Sequence, residues 1–218
     1  EKVQAMPVAA AHETRQNEIV IEKSTGKEFR LGMPCPRLTP AEWQACLDTL
    51  NKLEDIRYII ISGSLPADRP PQLWQVLARI ARAKKARLII DSKINAPQAL
   101  AGLEVFLIKP NLHELAVLAG EEHLLPGAVA AIAQKLIHAG IAETFLVSMG
   151  AAGARLITST ADQQIDAPSV DKKSTVGAGD SMLAGLIHYL HAGRPLAEAA
   201  RYAVACGTAA TLFPGTHL

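Results

Sequence analysis

Four short runs constrain this chain more than anything else in it: "RYIII" from Arg57, "RLII" from Arg87, "VFLI" from Val105 and "TFLV" from Thr144. Each is apolar on consecutive residues rather than on alternate ones, so each strand needs cover on both of its faces. Helical patterns lie between them, over about Pro70–Lys84, Asn111–Ala119 and Gly127–Ala139. Buried strands alternating with helices specify a mostly parallel sheet between two helical layers, a three-layer αβα sandwich. Two more strands are expected in "GARLITST" and "QQIDAP", and two final helices near Ala178 and Pro195.

The start of the chain has another rhythm. "NEIVIE" and "KEFRLGM" place Ile19, Ile21, Phe29 and Leu31 at period two around a Gly-containing turn, which reads as a half-exposed hairpin over Asn17–Met33. After the proline-broken "MPCPRL", Thr39, Pro40 and Glu42 form the signature of a helix start with a capping box. The expected organisation is a small β element over residues 1–34 and an α/β domain over 35–218.

Composition narrows the function classes. With 22 Lys and Arg against 21 Asp and Glu, the net charge of +1 gives no case for nucleic acid or a membrane surface. The basic stretch "RIARAKKAR" ends a helical pattern and reads as a solvated face near a helix C-terminus. Cys35, Cys46 and Cys206 show neither metal-ligand spacing nor close pairing, which suits a reducing cytoplasm. No apolar run reaches membrane-spanning length.

In a sheet of this kind ligands bind beyond the carboxyl ends of the strands. The four runs lead into Ser62-Gly63-Ser64, Asp91-Ser92, Lys109-Pro110-Asn111 and Ser148-Met149-Gly150. These small, hydroxylic or charged exits favour a polar, phosphate-bearing ligand. The strongest motif is "TVGAGDSM", whose glycines stand where the stripe Met182, Leu183, Leu186, Ile187, Leu190 begins a helix. Free amides and a positive dipole there suit an anion, and glycine lets backbone approach it. Asp180, in the first turn, could take a proton from an attacking hydroxyl beside that anion hole. The same residues also fit a helix whose glycines only permit close packing. There is no G-x-x-x-x-G-K-[ST], Met182 replaces the third glycine of a dinucleotide fingerprint, and no G-x-S-x-G occurs.

"STVGAGDS", taken with "SGSLP", "KPNLHEL", "VSMGAAG" and "TRQN", resembles the ribokinase-like (PfkB-type) carbohydrate kinases, above all their minor bacterial 6-phosphofructokinase type. The motifs run in matching order from Thr14 to Thr216. The resemblance implies an ATP-dependent kinase for fructose 6-phosphate. Fructose 1-phosphate and tagatose 6-phosphate are alternatives, and a non-catalytic nucleotide or sugar-phosphate binding module is a reading of another class. It implies Asp180 as base, and Gly177, Ala178 and Gly179 as the anion hole for the moving phosphoryl. Arg15 and Ser64 would bind the sugar phosphate; without the resemblance they read as a surface arginine and a turn serine. Lys109 and Asn111 would face the nucleotide phosphates, with Ser148, Gly150, Gly153, Thr175 and Thr208 around the nucleotide.

Glu114 would act on magnesium through water, although "PNLHE" also fits a plain capped helix. A monovalent cation such as potassium would lie at Ser174, Val176, Ala210, Phe213 and Gly215. The alanine-rich last helix fits either close helix packing or a flat adenine. The resemblance also implies a cytoplasmic homodimer joined through the β lid. The family's glycine-rich sugar segment and its early aspartate are not found in the 218 residues. The chain is therefore expected to hold the nucleotide half and the base without part of the sugar site, and to expose an associating sheet edge.

Overall fold

The computed structural model describes residues 3–25, 27–66, 68–125 and 127–213. They fall into two compact units, one of residues 1–54 with 64–73 and one of 55–63 with 74–218. The end of the hairpin at residue 34 therefore lies inside the first unit, which also contains the first helix.

In the first unit β1 (Asn17–Ile21) pairs antiparallel with β2 (Glu28–Gly32). Helix α1 (Pro40–Lys52) starts as its sequence requires: Thr39 accepts from the Glu42 amide, Glu42 accepts in return from the Thr39 amide, and Pro40 supplies a preset φ. Glu42 also accepts the Ala11 amide, and these backbone hydrogen bonds hold its carboxyl below the usual range. Only Trp43 is buried in α1.

The second unit is a six-stranded sheet in the order β3 (Tyr58–Ser62), β4 (Arg87–Asp91), β5 (Val105–Ile108), β6 (Thr144–Ser148), β7 (Ala154–Thr158), β8 (Asp162–Ile165). The pairs from β3 to β6 are parallel and the last two antiparallel. Each parallel step moves one place in the same direction. Right-handed crossovers thus put α2 (Leu73–Ala83), α3 (Leu112–Ala119) and α4 (Val129–His138) on one face. The other face is left for α5 (Ala178–His191) and α6 (Leu196–Ala210).

Strand alternation serves both layers. Ile89, Leu107, Leu146, Leu156 and Ile165 join Met182, Leu186 and Ala203 in one cluster beneath α5 and α6. Their neighbours Ile90, Ile108, Phe145, Val147 and Ile157, all at most 1% exposed, face the layer where α3 and α4 meet the sheet. Each such large side chain contributes about 1.5–3 kcal/mol of burial.

Close packing accounts for the small residues of α5 and α6. A Cβ on Gly185 would sit 2.7 Å from Cys206 Sγ, and one on Gly207 would sit 3.0 Å from the Ala178 carbonyl oxygen. The apolar strand at Tyr58–Ser62 differs from expectation. It is terminal in the described sheet, so Ile60 remains 38% exposed instead of being covered on both faces. Short 3₁₀ turns at Pro97–Leu100 and Gly150–Ala152 lie outside the expected elements, and α2 begins at Leu73, three residues later than the proline signal suggests.

Candidate active site

The parallel register brings the exits of β3 to β6 to one end of the sheet. Their backbones are tied in sequence there. The Gly63 amide donates to the Asp91 carbonyl (3.0 Å), Lys109 to Ile90 (3.0 Å) and Ser148 to Pro110 (2.9 Å). Charged groups on this platform therefore have fixed origins.

Lys109 is its centre. The side chain is 5% exposed, and its Nζ lies 3.1 Å from Asp91 Oδ1. A buried cation without a partner would be costly, and Asp91 supplies that partner. Burial raises the Asp91 pKa above the usual carboxylate value, Lys109 opposes the rise, and Glu114 and Asp180 add to it. Asp91, Lys109, Glu114 and Asp180 thus form one electrostatic group. Asp91 is marked by the sequence only as one of several polar strand exits, with no role of its own. It becomes a site residue only through the β4–β5 register, which pairs Ile90 with Ile108 and so sets Asp91 beside Lys109.

Helix α5 points its first turn at the same group. Gly177 precedes it with φ of 75°, a left-handed conformation that glycine adopts without strain, and no side chain caps the helix. The early amides thus have no side-chain acceptor, and the Ala178 amide makes only a long contact to the Thr175 carbonyl, 3.4 Å. A Cβ on Gly179 would stand 3.4 Å from Lys109 Nζ, so the lysine ammonium and the helix N-terminus adjoin. Asp180 comes next in the first turn and is exposed to solvent. Positive backbone, an ammonium and a carboxylate converge at an accessible point. That can hold a phosphoryl group while a proton is removed beside it.

From this point a cavity of about 420 Å³ extends between the β6–β7 turn and the C-terminal end of α6. Ser148, Gly150, Gly153, Thr175, Ala178, Gly179 and Thr208 line it, whereas Lys109 and Asn111, the other two positions that the resemblance assigns to the nucleotide, do not. Gly150 and Gly153 have φ of 60° and 85°, and a Cβ on Gly153 would lie 2.0 Å from the Ile165 carbonyl oxygen. Gly153 is thus fixed by the approach of β8, which shapes the cavity wall. Gly207 and Val204 of α6 line the hollow too, so the small-residue stripe serves packing and the cavity together.

Asn111 and Glu114 form a reciprocal capping box at α3, each side chain bonded to the other's amide at 2.9 Å. The local helix-start reading is therefore realised. It leaves carboxylate acceptor capacity on Glu114, which lies within the electrostatic reach of Asp91. Among the described residues no three His, Cys, Asp or Glu side chains form a metal cluster.

The Lys173 and Ser174 amides both donate to the Thr211 carbonyl, and Ser174 Oγ accepts from the Val176 amide. This brings Ser174 and Val176 beside the end of α6, where Ala210 is buried. Phe213 lies just beyond at an exposed position, and Gly215 is outside the described residues.

Arg15 and Ser64 meet within the first unit. Arg15 Nη1 donates to Cys35 Sγ at 3.1 Å, and Cys35 Sγ donates to the Ser64 carbonyl at 3.5 Å. Cys35, which no sequence signal singles out, is the link between them.

A glycine-led helix N-terminus, a first-turn aspartate and a buried lysine at one end of a sheet packed between helices suit the handling of a phosphoryl group. The model of the pfkB family carbohydrate kinases matches residues 1–218, and the chain belongs to that family. It is 35% identical to the ATP-dependent 6-phosphofructokinase isozyme 2 of Escherichia coli over all of its own length and 71% of that protein. It is 29% identical to the 1-phosphofructokinase of Bacillus subtilis over 88% of this chain and 63% of the relative. The crystal structure of Escherichia coli phosphofructokinase-2 in complex with potassium superposes with a TM-score of 0.85 at 35% identity, covering 94% of this chain and 67% of that one. The chain thus spans between three fifths and three quarters of these relatives.

Proposed function

We propose that the protein containing this chain transfers the terminal phosphoryl group of ATP to a phosphorylated ketohexose, fructose 6-phosphate giving fructose 1,6-bisphosphate. The observation that carries the reading is the junction of Lys109, the uncapped start of α5 and Asp180 at the mouth of the 420 Å³ cavity. The cavity takes the nucleoside, and its glycine- and threonine-lined wall leads the phosphates to the helix amides. Asp180 accepts the proton of the attacking sugar hydroxyl. The Gly177–Gly179 amides and Lys109 hold the charge of the phosphoryl in transit.

Magnesium supplies charge neutralisation on the nucleotide phosphates when bound. Glu114 and Asp91 would hold it through water, a fit supported by the mutual repulsion of the site's carboxylates. Arg15 and Ser64 bind the sugar's existing phosphate in this reading, the guanidinium by a bidentate contact. A potassium ion at the carbonyls near Ser174, Val176, Ala210, Phe213 and Gly215 is the further expectation, supported by the potassium complex of the Escherichia coli relative. The hairpin, whose Ile19, Ile21, Phe29 and Leu31 are 39–52% exposed, is the proposed homodimer contact.

The test is ADP release with fructose 6-phosphate, fructose 1-phosphate and tagatose 6-phosphate, for the wild type and for Asp180→Asn. Highest kcat/KM on fructose 6-phosphate is expected. The variant should lose about 10²–10⁴-fold in kcat with nucleotide affinity nearly unchanged. Equal turnover by Asp180→Asn would remove the mechanism, and turnover of none of the sugars would favour a binding module.

A further inference from the structure

A second cavity, of about 490 Å³, opens at the opposite end of the same sheet. It lies where the parallel strands begin: Arg57 precedes β3, Lys85 precedes β4, Arg87 is the first residue of β4, and Phe106 the second of β5. The last turn of α5 and the segment after it close it with Leu190 and Arg194. Four cations therefore surround one hollow in a chain whose net charge is only +1. Overall basicity does not explain such a gathering.

Local structure explains one of the four. Arg57 Nη1 donates to the His191 carbonyl at 3.2 Å, as expected for a cation at the negative end of α5. Arg87 rests on the face of Phe106, with Cζ 4.4 Å from the ring centroid, which fixes its guanidinium but adds no counter-charge. Among the described residues none of Arg57, Lys85, Arg87 and Arg194 forms an ion pair. The nearby acid Glu104 is engaged by Arg82, and neither Glu143 nor Glu198 lines the cavity. A solvated face would distribute its charges along a convex surface. Here they ring a concave one with an apolar floor.

We propose that this cavity is a binding site for a small organic phosphate, separate from the catalytic cleft. Planar guanidinium groups and a lysine match phosphate oxygens, and Leu190 and Phe106, each 8% exposed, leave only a small apolar area at the cavity floor. Helix α5 joins the two sites, its first turn at the catalytic group and its last at the basic cavity, about 21 Å apart for 14 residues. An occupant therefore touches the far end of the element that carries Asp180, the arrangement of an effector site. Binding here does not depend on the kinase reading.

The test is a ¹⁵N–¹H titration of the purified protein with inorganic pyrophosphate at constant ionic strength, with and without the double substitution Lys85→Gln and Arg194→Gln. Both positions are exposed, Lys85 in a turn and Arg194 in the irregular segment before α6, and glutamine suits the positive φ of Lys85 as well as lysine does. Saturable shifts are expected at the amides of Arg57, Arg87 and Arg194, weakened about tenfold or more in the double variant. The separate response at Gly177–Asp180 should be unchanged. A non-saturating response at the basic cavity, or one that the double substitution leaves intact, would overturn the site. Loss of the Gly177–Asp180 response alone would count against the kinase reading and leave this one standing.

Discussion

The two units of the chain solve burial in opposite ways. The larger closes a six-stranded sheet between helices, with Phe145, Leu146, Ile89 and Leu186 all fully buried. In the smaller, the hairpin leaves Ile19, Val20, Ile21, Phe29, Leu31 and Met33 between 39% and 52% exposed, and α1 buries only Trp43. The first arrangement gives the charged groups at the strand exits, Asp91 and Lys109, fixed positions. The second holds an apolar face available for another surface, as an interaction element does. Position and exposure divide accordingly: the 420 Å³ cavity, Lys109 and Asp180 belong to the larger unit, and Arg15 and Ser64 to the other.

That contrast can be broken by substitutions matched across the units. The largest difference is expected between Phe145→Ala and Phe29→Ala. Emptying the buried site should cost about 3–5 kcal/mol in denaturant unfolding. The exposed one should change stability by no more than about 0.5 kcal/mol while weakening self-association in sedimentation. Equal losses would mean the hairpin packs as a core.

Glycines give the next contrast. Gly153→Ala must fit a Cβ against the Ile165 carbonyl at a φ of 85° and should lower stability by about 2–3 kcal/mol. Gly32→Ala meets only Asn17 Oδ1 at 3.7 Å and should stay within about 0.5 kcal/mol. Thermal melts of the pair would decide, and a silent Gly153→Ala would show that the β8 end is loose. Smallest is Thr39→Ala, which removes the α1 cap and should cost about 1 kcal/mol, read locally by hydrogen exchange in α1.

Much of this is legible in the residues because the signals are local. The apolar runs became strands at nearly the expected limits, Thr39 and Asn111 capped the helices they announced, and "VGAGD" led α5. The features that escape depend on register and on convergence of distant segments. Asp91 gains its role only when β4 aligns with β5, and Cys35 only when the chain folds it between Arg15 and Ser64. Lys85 and Arg87, part of a basic stretch that reads as a solvated face, meet Arg194 through the segment after α5, more than 100 residues away. The exposure of Ile60 is hidden for a related reason: an apolar run does not reveal whether its strand is central or terminal.

The most direct measurement is an ATP titration of the ¹⁵N-labelled protein, made on the wild type and on Asp180→Asn. Saturable shifts are predicted at the amides of Ser148, Gly150, Gly179 and Thr208 in both, together with loss of phosphoryl transfer in the variant alone. Silent amides around that cavity, or full transfer by Asp180→Asn, would contradict the assignment of the cleft.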